Sequence, residues 1–438
     1  MSGKLLRMAV VVCAMFVLVA PVAGQVKGLY YQEAVKDGRI HVFNTPERYK
    51  LWQASGDMGP SITLIGRGPN GETVVAENET AIDLYLFKHG LPAYDRPTPP
   101  PPAAARPTFP QVKIGGLWYL SYQDGESGNT DTSKFTIKRG YINVEAKITP
   151  WMSARITPDT TIDSSGDIKV RLKYAYAKFA SPDLGFVTRP EVEVGVAHMP
   201  WLDFEEHINN YRLQDTMFME RNGLFNSADV GVTFMGLLGG TVSDEYQTSV
   251  SKDYPGKWGS FAFGVYNGGG YHASEANTDK VIEGRLTVRP LPEIVPGLQI
   301  SYFGVRGKGN TAAEPDWTLD AAMLSFEHRH FVLTGTLADG EGNQKGDAVD
   351  ASGTALRRDG WSVFAEVKLG PKWGLIGRYD AWDPNTQVDN DGNERTVAGV
   401  VYHLGKGNDV LLDYDTVSHE RAGKPDDSRV QLTLQVKF

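Results

Sequence analysis

Val430 to Phe438 read V-Q-L-T-L-Q-V-K-F, with Val430, Leu432, Leu434, Val436 and Phe438 on one parity and Gln431, Thr433, Gln435 and Lys437 on the other. Side chains of a strand point alternately to opposite faces, so this segment is a strand with one apolar and one wet face. A soluble β-sandwich uses such strands too. Here the segment is long, it finishes on an aromatic residue, and no residue follows it in the sequence. A tilted strand of about 9–11 residues is long enough to cross a bilayer. The segment is read as a membrane-spanning strand.

The other end of the chain agrees. Lys4 and Arg7 precede an apolar run from Ala9 to Ala20, and Val22-Ala23-Gly24 supply small residues for cleavage before Gln25. These are the parts of a secretory signal peptide, residues 1–24, and the run is too short for a spanning helix. Cys13 would suit lipidation, but Val12 precedes it and the apolar run continues beyond it. It is the one cysteine of the sequence, so disulfides, thiol catalysis and Cys-based metal sites are excluded for the mature chain. An aromatic final residue resembles the end signature of bacterial outer-membrane β-barrels, which makes Phe438 the expected assembly signal.

Composition separates a barrel from a helical membrane protein. Mean hydropathy is −0.31, yet the chain carries 19 Tyr, 18 Phe and 9 Trp beside 48 Gly. Half of each barrel strand faces water, so an outer-membrane barrel has the hydropathy of a soluble protein. The formal charge is −9, and −11 once Lys4 and Arg7 are removed, which argues against nucleic acid as a partner.

Three regions follow the signal. Residues 25–95 have the pattern of a small α+β domain, expected in the periplasm. They hold strands at 39–43, 62–65 and 72–75, and two capped helices opening at Thr45-Pro46-Glu47 and Asn78-Glu79. Residues 96–110, RPTPPPPAAARPTFP, are a linker, since proline at this density holds polyproline II and acts as a semi-rigid spacer. Residues 111–438 contain about sixteen strand-like segments and are the expected barrel. Long polar connections (124–132, 159–165, 209–227, 268–279, 307–316, 338–359, 383–394, 418–428) alternate mostly with short ones such as 149–151, 328–330, 370–372 and 405–407. Long loops on one rim and short turns on the other are the outer-membrane barrel pattern. The link 239–257 is too long for a short-rim turn and does not fit it.

Phe135–Tyr141 (F-T-I-K-R-G-Y), Gly195–Trp201 (G-V-A-H-M-P-W) and Val265–Tyr271 (V-Y-N-G-G-G-Y), with the C-terminal strand, resemble the phosphate-selective porin O and P family. The resemblance covers residues 112–438. It implies a sixteen-stranded antiparallel transmembrane β-barrel, usually a homotrimer in outer-membrane lipid, passing small hydrophilic solutes or anions such as phosphate. It also implies a third long loop folded into the lumen to set the constriction. Here that region offers Glu205, Glu206, Arg212, Asp215, Glu220 and Arg221, with Asp203 nearby and Tyr211, Met217, Phe218 and Phe225 to pack it. Opposed acids and bases across a narrow opening create a transverse field that filters polar solutes. An ordinary solvated loop is the plainer reading.

Strand parity supplies the second set of candidates. In I-K-V-R-L-K-Y-A-Y, placing Ile168, Val170, Leu172, Tyr174 and Tyr176 on lipid sends Lys169, Arg171 and Lys173 into the lumen. A cation facing lipid at mid-depth costs roughly 2–4 kcal/mol, which decides the parity. Arg155, Arg285, Arg289 and Arg378 share lumenal phases, as do Glu145, Glu283, Glu366, Asp380, Asp413 and Asp415. The wall is therefore either a basic ladder favouring anions or a mixed, water-filled surface.

Other matches fail on context. Gly66–Gly71 fit G-x-G-x-x-G, but a strand follows where a dinucleotide site needs a helix. Asp389-Asn390-Asp391-Gly392 would put Gln387 first and Ala398 twelfth in a calcium loop. His328 and His330 are too few ligands for a metal site, and Glu205 with Glu206 lack the spacing of glycosidic chemistry. The reading is an outer-membrane porin with no catalysis, metal or cofactor. Its alternative is an outer-membrane anchor whose N-terminal domain binds peptidoglycan or a periplasmic partner.

Overall fold

The computed structural model describes residues 28–93, 108–163 and 165–438. The expected signal segment and almost all of the proline-rich stretch lie outside the described residues. The chain divides into two compact units, 2–107 and 108–438.

In the first unit, β1 (Gln32–Lys36) and β2 (Arg39–Phe43) form a hairpin. Asp37 and Gly38 both have positive φ, 50° and 74°, the geometry of a tight two-residue turn. Pro46 opens helix α1 (Pro46–Ser55), and Gly56 closes it in left-handed conformation with its N–H on Trp52 O. Strands β3 (Ile62–Leu64) and β4 (Thr73–Ala76) follow, then helix α2 (Glu79–Lys88), whose Asn78 side chain caps Ala81 N–H at 3.0 Å. The sheet order is β1-β2-β4-β3, with β2 and β4 parallel. Alternate residues face opposite layers: Ile40, Val42, Val74 and Ala76 meet α2, while Phe43 and Val75 meet Trp52 of α1. The buried Glu77 carboxylate accepts from Asn44 N (2.9 Å) and Thr45 Oγ1 (3.0 Å), so one side chain ties the starts of both helices.

The second unit is a closed barrel of sixteen antiparallel strands. They are β5 (Gln111–Ser127), β6 (Thr130–Lys147), β7 (Met152–Ile162), β8 (Ile168–Ala180), β9 (Val187–His198), β10 (Ala228–Leu238), β11 (Gly259–Tyr266), β12 (Val281–Val288), β13 (Leu298–Lys308) and β14 (Asp316–His328). β15 (Phe331–Glu341), β16 (Arg357–Leu369), β17 (Trp373–Asp383), β18 (Asn393–Gly405), β19 (Asn408–His419) and β20 (Asp427–Lys437) complete it. Each strand pairs with the next, and β20 closes on β5 from Ser428↔Glu126 to Lys437↔Leu117. Phe438 extends that seam, exchanging two 3.1 Å backbone bonds with Gly116.

Register organises the outer face. Ile300, Leu324, Gly335, Val363 and Tyr379 stand in one outward row. Two rows away, Asp320, Asp339, Asp359 and Asp383 are aligned, with Arg306 on Asp320 at 2.8 Å and Arg357 on Asp339 at 3.6 Å. From Asp359 to Leu369 along β16 is about ten residues; at about 3.3 Å each and a tilt near 40°, that is a height of about 25 Å. The acidic row thus bounds an apolar band of hydrocarbon thickness.

Two expectations change. The long connection at 124–132 is instead a continuous hairpin, because β5 runs to Ser127 and β6 starts at Thr130. Cross-strand pairs such as Gln123↔Lys134 keep polar residues in the ladder beyond the apolar band. Likewise β7 runs to Ile162, so the 159–165 connection shortens.

Candidate functional site

Between β9 and β10 the chain folds into the barrel as the connection 199–227. It carries helices α3 (Leu202–Ile208) and α4 (Phe218–Arg221). One side of it is apolar. Trp201 meets Phe303 of the wall tilted at 5.3 Å, Phe225 meets it edge-on at 5.2 Å, and Phe218 meets Trp382 edge-on at 5.9 Å. Such aromatic pairs add about 0.5–1.5 kcal/mol beyond their buried area. The loop thereby covers the inner wall of β12–β19, and the same buried cluster takes in Tyr119 of β5 and Tyr141 of β6.

Polar groups fasten its tip. Lys138 donates to Leu213 O and Gln214 O, each at 2.8 Å, and Gln431 donates to Gln214 O at 2.8 Å. Asp215 receives Arg429 (2.6 Å) and stands 3.8 Å from Arg395 and 4.0 Å from Arg221. Arg378 pairs with Asp380 at 2.6 Å and donates to Thr216 O at 2.9 Å. Arg212 joins Glu206 (3.0 Å) and Glu220 (2.9 Å).

The expected constriction residues therefore separate into three groups. Arg212, Glu206 and Glu220 form one charge cluster, and Asp215 with Arg221 belongs to the tip's anchorage. Glu205 is buried, with the Trp201 indole donating to it at 2.7 Å. Burial pushes its carboxyl up to about 7, outweighing the indole bond and Arg378. It does not face the opening.

Lumenal cations also divide. Arg285 and Arg289, at 3% and 1% exposure, are sealed beneath folded-in chain. Arg285 donates to Pro200 O at 2.9 Å and Arg289 to Gly256 O at 3.2 Å. Arg378 is sealed in the same way beneath Thr216. Lys169 lies at the rim on Asp163 (2.8 Å), and Arg171 is half-buried farther down β8. Arg155 and Lys173 stand on β7 and β8, Arg155 partly exposed and Lys173 buried. Arg155 donates to Asn143 Oδ1 (2.8 Å) and Thr157 Oγ1 (2.9 Å), with its guanidinium 4.7 Å from the Tyr174 ring. Lys173 Nζ lies 4.7 and 5.4 Å from the Tyr141 and Tyr174 rings.

The parity expected for Tyr174 and Tyr176 is overturned. The β7–β8 register shifts between Thr157 and Pro158, which face Tyr174 and Leu172. Lys173 is the extra residue of a β-bulge beside a proline that has no N–H to give the ladder. Beyond it the faces exchange, so Lys173, Tyr174 and Tyr176 are all buried inside. β6 repeats the device: Tyr119 pairs Arg139 and Leu120 pairs Ile137, leaving Lys138 as the extra residue. Sequence reasoning missed Lys138, Arg139, Lys178, Arg395 and Arg429. The adjacent cations of K-R-G-Y were the available signal, since neighbours cannot both point inward on a regular strand.

Recesses lie inside at both ends of the barrel. One of about 710 Å³, at the end where β5 begins, is lined by both signs of charge, including Lys113, Glu145, Arg155, Lys178, Glu191 and Asp203. Another, of about 250 Å³, lies at the opposite end beside Lys134, Arg395, Asp415 and Arg429. At mid-strand between them, Tyr119, Tyr141, Lys173, Tyr174 and Arg212 are each under a tenth exposed. The path narrows to a waist of tyrosines and cations.

No protein-family model and no curated protein sequence matches the chain. Its barrel is similar to an anion-selective porin from Comamonas acidovorans, with TM-score 0.54 and 11% identity over 75% of this chain and 100% of that one. A loop-deletion mutant of OmpT, an outer membrane protein of Vibrio cholerae, gives TM-score 0.49 at 12% identity, covering 75% and 99%. The outer membrane channel DcaP of Acinetobacter baumannii gives 0.49 at 13%, covering 75% and 97%. At these identities the similarity is one of fold: a sixteen-stranded barrel of the kind found in outer-membrane porins.

Proposed function

We propose that the chain is an outer-membrane channel for small hydrophilic solutes, built to admit them along the β5–β8 wall. One observation carries the reading. A closed barrel with an apolar outer band holds two charged recesses on either side of a loop-made waist. A polar interior with recesses at both ends is what a water-filled passage needs. Arg155 and Lys173, whose hydrogen bonds go to the neutral groups of Asn143, Thr157 and Tyr141, support a modest preference for anions, phosphate included. The recess acids Glu145, Glu191 and Asp203 limit it. The reading includes export by the N-terminal signal, a homotrimer in the outer membrane and a periplasmic N-terminal domain. No catalytic step or cofactor enters it. Purified protein in a planar bilayer should give stable open steps, and a salt gradient should give a reversal potential of anion sign. A cation-sign potential would remove the anion preference.

The waist favours a second reading. Its residues are so nearly closed that the barrel serves as a mount for the N-terminal domain on peptidoglycan or a periplasmic partner. A barrel that stays shut in the bilayer while the full chain sediments with peptidoglycan would establish it in place of the first.

A further inference from the structure

The connection 239–258, between β10 and β11, lies at the end of the barrel opposite to the one from which 199–227 enters. It closes on itself. Val242 N–H donates to Pro255 O at 2.8 Å, Thr241 bridges Gly256, and helix α5 (Asp244–Ser249) is capped by Ser243. Closed in this way, it turns two tyrosines into the lumen. Tyr246 is buried with the Arg289 guanidinium 5.4 Å from its ring. Tyr254 sits at φ 46°, a backbone conformation disfavoured for any residue with a Cβ and kept only where the surroundings enforce it.

That conformation aims Tyr254 at the other loop. Its ring meets Phe204 edge-on at 5.1 Å and His207 at 5.8 Å, and its hydroxyl donates to the Asp203 carboxylate. Arg285 of β12 completes the stack, 4.1 Å from the Phe204 ring and 5.1 Å from that of Tyr254. Two segments that enter from opposite ends therefore meet inside the barrel through an aromatic stack and one charge-assisted hydrogen bond. Bonds to an ionised acceptor are roughly twice as strong as neutral ones. The stack is also where the larger recess ends, because Asp203 lines it.

We propose that the connection 239–258 is an inner brace for the connection 199–227, and that Tyr254 is the positioning residue that holds Asp203 and His207 at the mouth of the larger recess. Without the brace, the polar side of α3 keeps the His198–Asp203 contact (3.7 Å) and the Arg212–Glu206 pair (3.0 Å) but loses its link to the opposite end of the barrel, which loosens it. The consequence for conduction rests on the channel reading; the coupling between the two loops does not.

The test uses the full-length protein in detergent and in planar bilayers, with Tyr254→Phe, Asp203→Asn and the double variant. Amide hydrogen exchange across 199–208 should quicken about tenfold in Tyr254→Phe, the loss of one such bond. Asp203→Asn, which also gives up the charge pairing with His198 and His207, should quicken it at least as much, and the double variant no more than Asp203→Asn, because both remove the same bond between the loops. Single-channel records should show more frequent closures in all three. Unchanged exchange in Tyr254→Phe, or effects that multiply in the double variant, would overturn the brace. Coupled exchange together with wild-type bilayers that never conduct would leave the brace standing and remove the channel.

Discussion

The seven basic side chains expected at lumenal phase are given different work by their surroundings. Arg285, Arg289 and Arg378 are anchors, while Arg155 lines the larger recess and Lys173 is buried at the waist. Arg155→Gln with Lys173→Gln should lower the anion-to-cation permeability ratio, most visibly in dilute salt, where screening over roughly 10 Å is relaxed. An unchanged ratio would make the passage a general polar one. Arg378→Gln should instead unseat 199–227, because it leaves buried Asp380 without its partner, a loss of about 3–5 kcal/mol. Its readout is a lowered unfolding temperature. Two groups make the loop sensitive to pH. Burial would lower the His207 pKa, but the Asp203 carboxylate more than offsets this and raises it. Its contribution is complete below the ordinary histidine range and is lost as pH rises through the raised value. Glu205, raised to about 7 from 4.5, keeps its proton in the fold where the unfolded chain has lost it. Stability therefore falls between those values by about 1.4 kcal/mol per pH unit. Glu205→Gln should flatten that fall, so that the variant gains most in melting temperature at pH 8 and least at pH 4. An equal gain at both would contradict the assignment.

Elements answer to register more than to propensity. Alternation places a strand, but a single extra residue exchanges its faces for the rest of its length. Lys173 and Lys138 are such residues, and each is spent on an inward cation. Deletion of Lys173 should leave a regular ladder with Leu172 opposite Pro158 and Tyr174 opposite Thr157, so the barrel should still insert and migrate in its heat-modifiable form. Deletion of Leu172 should put Lys173 on the lipid face and reduce insertion sharply. Similar yields from the two deletions would dismiss the bulge as the cause. Connections carry the complementary lesson. The stretch at 124–132 reads as a long polar link and that at 239–257 as a link too long for its rim, yet one extends a hairpin and the other folds into the lumen. The first lacks apolar anchors, whereas Tyr246 and Tyr254 of the second find arginines and Phe204 inside.

Across the whole molecule, the acidic row and the seam with Phe438 mark the two ends of the apolar band. If the longer connections face outward, a tag at Gly353, on the open tip of 342–356, should be labelled on intact cells. Asp389 and Lys424 should behave alike. Asn343 is unsuited, being buried on Asp347 at 2.6 Å. Labelling only after the outer membrane is permeabilised would reverse the orientation. Removing Phe438 should cut insertion and leave export to the periplasm intact, and undiminished insertion would end its role as a signal. The barrel, its strand number and the small domain's helices were legible because alternation and capping are local: neighbours in sequence decide them. Phe135–Tyr141 and Val430–Phe438 announce strands whatever surrounds them. Which lumenal cations meet water was not legible. Arg155 and Arg285 have the same parity, and only the covering loop distinguishes them. That covering comes from residues far apart in sequence, Phe204 and Tyr254 above all, whose meeting depends on closure of the whole barrel.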